Sequence, residues 1–424
     1  MQIVEPARTL KVVDGYDLIV CGAGPAGMAA AINASRLGLR VLLIETQGCL
    51  GGIWTAGLLC LVLDVAGKGG FLTEISERLD AAGARVLRPA RRVDFLYDPE
   101  TMKVLLEQLC VEEGVDVRLH TRVVSAVRGG NGLQAIVTEG PGGREAFAAS
   151  LFVDSTGNGD LAAYAGCAYD HGHPETGKIQ PATLFAIISG VPKDEPGTRS
   201  GEDKVRFRKM FNSVGVDPSY QSPSLFPLPH PDLHCLMINH EYDVRCDSAE
   251  KITQATMRAR KEVYLAVQAL RRLPGWEEVR LVTTASHIGL REGRRIRGLY
   301  NITVDDLLAG QRFDDGICLA RFGIDVHALE RSAATGYTNF GLRSQPYHIP
   351  YRALVALDLP NLALAGRCIS GDFYAHASYR VTGNSVPMGE AVAIAAAMAR
   401  DTGSFHAVDG KAVSDKMRVR GYEL

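Results

Sequence analysis

Cysteine pairs at metal or redox spacing are missing from this chain: its nine cysteines include no C-x-x-C, and nine is an odd number. That excludes a sequence-evident zinc or iron–sulfur cluster and argues against a secreted disulfide framework, so a reducing, cytoplasmic setting is expected. A surplus of charge of one sign is missing too. Lys and Arg number 46 against 48 Asp and Glu, a formal net charge of −2, which leaves no electrostatic case for nucleic acid or an anionic membrane as partner. No apolar stretch reaches the roughly 18 residues that a membrane span needs. Residues 1–13 lack the basic-then-apolar order of a signal peptide, so a soluble, unprocessed protein is expected. Internal repeats, heptad runs and low-complexity tracts are absent as well.

What is present is ordinary globular composition, 46% hydrophobic and rich in glycine, over 424 residues. At about 150 residues per domain this is room for two or three units, such as a cofactor domain and a substrate domain. The run Tyr16-Asp17-Leu18-Ile19-Val20-Cys21 reads as a buried parallel strand. Gly22-Ala23-Gly24-Pro25-Ala26-Gly27 follows, then a helix of small residues closed by Gly38, then a second strand Arg40–Ile44 ending at Glu45, eighteen residues beyond Gly27. Each part has a job in holding a dinucleotide: Gly22 for the turn, Gly24 for close approach of a pyrophosphate, Gly27 for helix–strand packing, with Pro25 and Ala26 opening the helix. The helix N-terminus offers free N–H groups to phosphate, and Glu45 is placed to accept hydrogen bonds from a ribose.

Farther along, Pro99–Glu113 reads as an amphipathic helix. Strand-like segments 115–119, 123–127, 134–138 and 146–152 lead into a small antiparallel meander, with Gly129-Gly130-Asn131-Gly132 as a hairpin turn rather than a second nucleotide fingerprint. A charged helix is expected over 248–273, a buried strand at 361–366, and an Ala-rich helix over 386–400 with Pro387 in its first turn. The fold class is therefore α/β. A Rossmann-type domain with a parallel sheet and a small antiparallel meander, built from residues 14–163 and 351–424, carries an inserted α+β substrate domain over 164–350.

Later motifs carry a family resemblance. Gly51-Gly52 follows Glu45, Ser155-Thr156-Gly157-Asn158-Gly159-Asp160 follows the meander, and Gly366-Arg367-Cys368-Ile369-Ser370-Gly371-Asp372 follows the last strand. Together they resemble FAD proteins of the glutathione-reductase-like superfamily. The longer pieces 289–298 and 365–370 are similar to the bacterial FAD-dependent oxidoreductase family that includes the flavin subunit of heterodisulfide reductases, over about Tyr16 to Arg400. The resemblance implies FAD as cofactor, bound by Gly22, Gly24, Pro25, Ala26, Gly27, Glu45, Gly51, Gly52, Val123, Thr156, Gly157, Asp160, Gly366 and Asp372. It also implies Trp54 and Thr55 over the isoalloxazine, though plain core packing of Trp54 stays open, and Asn384 and Ser385 where the last helix points at the flavin pyrimidine edge. The chain departs from the superfamily's disulfide reductases, since Gly51-Gly52-Ile53-Trp54-Thr55-Ala56-Gly57 holds no dithiol. Cys49 and Cys60 flank that segment, either as redox partners or as inert packed thiols.

His376, Tyr379 and Arg380, in a polar and aromatic loop past the proposed ribityl contact, are the candidates for acid–base and anion-holding work. Arg291 and Arg294, with Arg295 and His287 nearby, are candidates for binding a substrate anion, or else a structural salt-bridge network. His171, His173 and Asp170, and His230, Asp232, His234 and His240, are metal-capable types without a further dependable ligand in either group, and no metal is expected. The expected chemistry is hydride transfer from a small organic substrate to flavin N5, with reoxidation by a quinone, oxygen or a protein carrier. An NAD(P)H-driven reductase or monooxygenase and a non-catalytic electron-relay subunit stay open beside it, and a homodimer is expected by analogy alone.

Overall fold

A computed structural model describes residues 2–4, 6–88, 91–130, 132–333 and 335–424. Its main sheet is built on the expected βαβ unit: β1 (Val12–Cys21), α1 (Pro25–Arg36) and β2 (Val41–Ile44), with β1 and β2 parallel in register Leu18↔Val41 to Cys21↔Ile44. The inner half of β1 and all of β2 are buried, as expected of strands covered on both faces. The end of α1 is a Schellman motif. Gly38 takes φ +84, its N–H donates to Ser35 O, and Leu39 N–H donates to Ala34 O, so glycine there satisfies two carbonyls that the helix leaves open.

Helix α2 (Pro99–Glu112) leads through β3 (Asp116–Arg118) to the meander β4 (Arg122–Gly129), β5 (Gly132–Gly140) and β6 (Gly143–Asp154). Gly129 pairs with Gly132 across the first turn, and Asn131 of that turn lies outside the described residues. The meander is continuous with the parallel sheet, because β6 runs parallel to β1 along one edge. Its other edge is shared: β5 pairs with the first half, and β11 (Leu362–Leu364) with Phe152 to Asp154. Asn361 sits where the two part, accepting from Leu133 N–H and donating to Leu133 O and Ser150 O.

A second sheet, antiparallel in the order β8-β9-β7-β10, comes from β7 (Ala186–Ser189), β8 (Ser224–Pro227), β9 (Leu233–Met237) and β10 (Arg280–Thr284). Strand alternation gives it two faces. Ala186, Ile188 and Leu236 pack under α3 (Gly201–Ser213) and α4 (Ala249–Leu270), while Ile187, Cys235 and Met237 pack on Leu58, Cys60 and Leu61, just after the Gly-Gly turn. Buried side chains between 296 and 349, among them Ile296, Ile302, Ile317, Val326 and Tyr347, belong to the core of the first sheet. The core of the inserted sheet thus ends well before the expected boundary at 350.

Two expectations near the C-terminus are corrected. The 372–380 segment is not a loop but a short helix, α5 (Phe373–Tyr379), N-capped by Asp372. The Ala-rich helix α6 begins at Thr382, not Val386, and runs to Met398, so Pro387 stands inside it and Asn384 and Ser385 lie in its first turn. Pro387 removes the N–H that would bond Gly383. Packing offsets that loss: α6 is buried along most of its length and crosses α1 so closely that a Cβ on Gly389 would stand 2.0 Å from Ala26 O.

Candidate active site

The turn after β1 is closed by packing on one side and open on the other. A Cβ on Gly22 would meet Ser155 O at 2.6 Å, and one on Gly27 would meet Gly22 O at 1.9 Å. Ser155 Oγ clamps the turn by donating to Cys21 O and Gly22 O. Gly24, between them, faces open space: a Cβ there meets nothing within 4 Å. No side chain caps α1, and Pro25 brings no N–H, so the N–H groups of its first turn point at that space. Gly51 and Gly52 border it, since Gly51 N–H donates to Ala23 O and a Cβ on Gly52 would come within 3.0 Å of Gly24 Cα. Glu45 is buried at the end of β2, its carboxylate oriented by the N–H groups of Ala23 (2.7 Å) and Gln47 (2.9 Å). Thr121 N–H donates to Glu45 O, which brings the start of β4 and buried Val123 to this end of the site.

Thr156 and Asp160 are held within the turn that follows β6. Thr156 N–H and Oγ1–H donate to Asp154 Oδ1, and Asp160 N–H donates to Thr156 Oγ1. Burial pushes the Asp154 carboxyl up to about 6 despite these donors. Gly366 lies between α1 and α6, a Cβ there standing 3.4 Å from Ala26 Cβ and 4.0 Å from Ser385 Oγ. Arg367 lies across Gly157. Its Nη2 donates to Asn158 Oδ1 at 3.2 Å, its Nη1 has no partner, and among the described residues no carboxylate pairs with it. At the start of α6, again with no side-chain cap, Asn384 is fully buried and neither polar atom of its amide has a partner; Thr382 Oγ1 has none either.

The remaining sequence candidates separate. Asp372 is consumed by structure, Oδ1 accepting from Ala375 N–H (2.7 Å) and Oδ2 from Val304 N–H (2.6 Å). Tyr379 is buried with its hydroxyl donating to Ile369 O, and Trp54 is buried edge-on to Tyr97 with Nε1 unpartnered. Thr55 Oγ1 is turned to Leu50 O. His376 is fully enclosed with no partner for either ring nitrogen, and burial together with the charges of Arg295, Arg380 and Arg367 keeps its pKa well below the usual imidazole range. Arg380, two residues before α6 begins, reaches Asp325 (Nη2 to Oδ2 3.2 Å). In the other basic cluster Arg294 pairs with Asp160 (2.8 Å) and Arg295 with Glu292 (2.5 Å). Arg291 has no carboxylate at ion-pair distance among the described residues. Its Nη1 donates to Pro181 O and Thr183 Oγ1, and burial lowers its pKa to about 10, so it stays a cation at neutral pH.

Three residues never assigned a role from sequence join this cluster: Asp325, His327 and Gln180. His327 Nε2 lies 3.3 Å from Asp325 Oδ2, His327 Nδ1 lies 3.0 Å from His240 Nε2, and Gln180 Oε1 accepts from His327 N–H. From sequence, His240 stands out only as a metal-capable type. Among the described residues no group of three or more His, Cys, Asp or Glu is placed to hold a metal ion. Cys60 does not meet Cys49: its Sγ and that of Cys235 both donate to Leu58 O at 3.4 Å, while Cys49 lies by Thr55. No described helix is long and apolar enough to cross a membrane.

The FAD dependent oxidoreductase family model matches residues 17–417. Among curated proteins, the chain is similar to dihydrolipoyl dehydrogenase of Trypanosoma brucei brucei, 44% identical over 45 residues that make up 11% of this chain and 9% of that protein. It is also similar to digeranylgeranylglycerophospholipid reductase 1 of Methanococcoides burtonii, 29% identical over 135 residues, 27% of this chain and 31% of that protein. The aligned stretches thus cover less than a third of either relative. In fold, a geranylgeranyl bacteriochlorophyll reductase-like protein from Thermoplasma acidophilum superposes with TM-score 0.53 at 13% identity, covering 97% of this chain and 85% of the other. p-Nitrophenol 4-monooxygenase of Pseudomonas putida superposes with TM-score 0.51 at 13% identity, covering 96% and 84%. FAD is the cofactor these comparisons require, and the residues fit it: open space at Gly24 beside uncapped N–H groups, a carboxylate at the ribose end, and orphaned polar atoms of Arg367, Thr382 and Asn384 beyond. The chain belongs to the FAD-dependent oxidoreductase family.

Proposed function

We propose that this FAD-dependent oxidoreductase takes hydride from a small organic substrate and passes the electrons to an external acceptor, a quinone, oxygen or a protein carrier. The observation that carries the proposal is the surrounding of the α6 N-terminus. Through Arg380 it adjoins Asp325 and the side chains around it. Bound FAD supplies the two-electron acceptor, at N5 of its ring. The chain's own groups do the rest. The α1 N-terminus and Gly24 hold the pyrophosphate, with Gly51 and Gly52 alongside, and Glu45 holds the ribose. The N–H groups of the first turn of α6 and the Asn384 amide favour negative charge on the pyrimidine edge. Ser385, Gly366 and Arg367 border the chain between the two ends.

Anaerobic titration of the purified holoprotein tests this. Bleaching of the flavin absorbance by hydroxy acids, polyols or amines, and not by NADPH, is the expected result. Bleaching by NADPH alone would replace the proposal with a reductase or monooxygenase. Reduction by neither, with electrons accepted only from a protein partner, would make the chain an electron-relay subunit.

A further inference from the structure

The cluster around Arg291 and His240 combines an unmatched cation with an unmatched proton acceptor. Asp325, flanked by Arg380 and His327, is held well below the usual carboxylate range despite its burial, so it is ionised and can only accept hydrogen bonds. His327 must then present Nε2–H toward it, which leaves Nδ1 bare. A bare Nδ1 at 3.0 Å from His240 Nε2 requires the hydrogen to sit on that Nε2, and His240 Nδ1 is left as an acceptor. That nitrogen is buried and has no partner. Leaving such a group unpaired costs free energy unless a ligand supplies the donor. Tyr220 lies at 4.1 Å from the His240 ring, tilted over it, and Tyr242 meets it edge-on at 6.0 Å, fixing its plane.

Arg291 supplies the second half. Together with burial, its charge lowers the His240 pKa, and it lies two residues past Gly289, where a Cβ would touch Ile53 of the loop after Gly51-Gly52. The cluster therefore reaches the loop after Gly51-Gly52 through Ile53 and the start of α6 through Arg380. Asp325 keeps 24% of its side chain accessible and Arg291 is half-buried, so the cluster is open at these two side chains.

We propose that this cluster takes a small carboxylate whose neighbouring carbon bears a hydroxyl or an amine, with Arg291 binding the carboxylate and His240 Nδ1 taking the hydroxyl or amine proton. This rests on the hydride-transfer function proposed above. As the substrate C–H bond breaks, its hydrogen leaves with both electrons to bound FAD. The O–H or N–H proton goes to His240, and the electron pair left on oxygen or nitrogen closes a C=O or C=N bond. His327 and Asp325 are positioning residues: they fix which His240 nitrogen is bare and balance the charge it gains. The groups facing His240 are Arg291, His327, Tyr220 and Tyr242. Burial and the first two hold its pKa well below the ordinary imidazole value in the empty site. A carboxylate on Arg291 offsets that cation, so the substrate makes its own base stronger.

The test uses holoenzyme and four kinds of probe under anaerobic conditions: lactate and malate, alanine and aspartate, propanol and propylamine, and 2-hydroxyisobutyrate, which offers carboxylate and hydroxyl but no C–H to give. Flavin reduction by a hydroxy or amino acid, with propanol and propylamine inert, is expected, and the first two arms decide between hydroxyl and amine. 2-Hydroxyisobutyrate should perturb the flavin spectrum on binding. R291M should weaken that binding at least about 10-fold with FAD content unchanged. H240Q should leave it within about 3-fold while lowering the limiting rate of flavin reduction by about 100-fold or more, and H327Q should lower that rate by about 10-fold without changing binding. Undiminished binding in R291M, no binding of 2-hydroxyisobutyrate, or equal reduction by propanol would overturn the carboxylate assignment. An unchanged rate in H240Q would overturn the base. Reduction by NADPH alone, with 2-hydroxyisobutyrate still bound through Arg291, would overturn the hydride reading and keep the carboxylate site.

Discussion

The glycine turn after β1 and the cluster around Arg291 handle charge by different means. At the end of β1 the work falls to groups that every residue carries. The N–H groups of α1 are left uncapped, and the side chains around them are Gly, Ala and Pro, small enough to let a ligand approach. Around Arg291 the charge is carried by side chains drawn from positions as far apart as Gln180, His240, Asp325 and Arg380, with Arg380 joining Gln180 to Asp325 and His327 joining Asp325 to His240. A cradle made of backbone is indifferent to what is oxidised, whereas a cluster made of side chains can be rebuilt for a new substrate without disturbing it. This separation is what lets one fold serve many reactions.

Substitutions in the two regions should therefore fail differently. The largest effect is expected for Gly27→Val. Its Cβ would fall 1.9 Å from a backbone oxygen, so helix and strand must part, and no soluble flavin-bearing protein should be recovered on expression; a yellow, folded variant would break the view of the cradle. Gly24→Ala sharpens it, because its methyl meets no protein atom within 4 Å. FAD affinity should fall by about 100-fold, close to 3 kcal/mol, in a fluorescence titration, while the melting temperature of the apo-protein stays where it was.

Asp154 probes the sheet beneath the cradle. Its folded-state pKa, about 6, stands above the ordinary value of 3.8, so the folded state holds the proton more tightly. The stability this adds is fully present below pH about 4 and is lost as pH rises through about 6. The stability difference between wild type and Asp154→Asn, from urea midpoints, should thus move in favour of wild type by about 2 kcal/mol between pH 6 and 4. The smallest effect belongs to Asp372→Ala. As an N-cap it should cost about 1–2 kcal/mol of stability and leave FAD affinity unchanged. A loss of affinity would return Asp372 to the cofactor, as the family resemblance implies.

Much of the nucleotide end was legible because its constraints are local. Gly22, Gly24 and Gly27 act within one turn, Glu45 ends the next strand, and Gly38 closes the helix between. The segment from Asp372 to Ser385 was harder to read. Pro387 looked like a helix start, but close packing of α6 on α1 carried the helix four residues further back, and Asp372 was drawn into capping α5. Arg291, Arg294 and Arg295 look alike in sequence. Only their partners separate them, since Asp160 and Glu292 claim two and leave the first. The one cue to Asp325 and His327 was their spacing, an acid and an imidazole two apart, which is too common to single out.

The sequence by itself determined the strand–turn–helix–strand unit, the place of its glycines and acid, and the helix that closes with Gly38, because each depends on the backbone freedom or propensity of residues within a turn of one another. The tertiary structure alone decided that β6 joins the meander to the parallel sheet, that Cys60 meets Cys235, and that His240, Arg291 and Asp325 form one charged cluster. These depend on which side chains the fold brings within a few ångströms across the chain, and the charge and hydrogen bonds they leave unmatched exist only once it has done so.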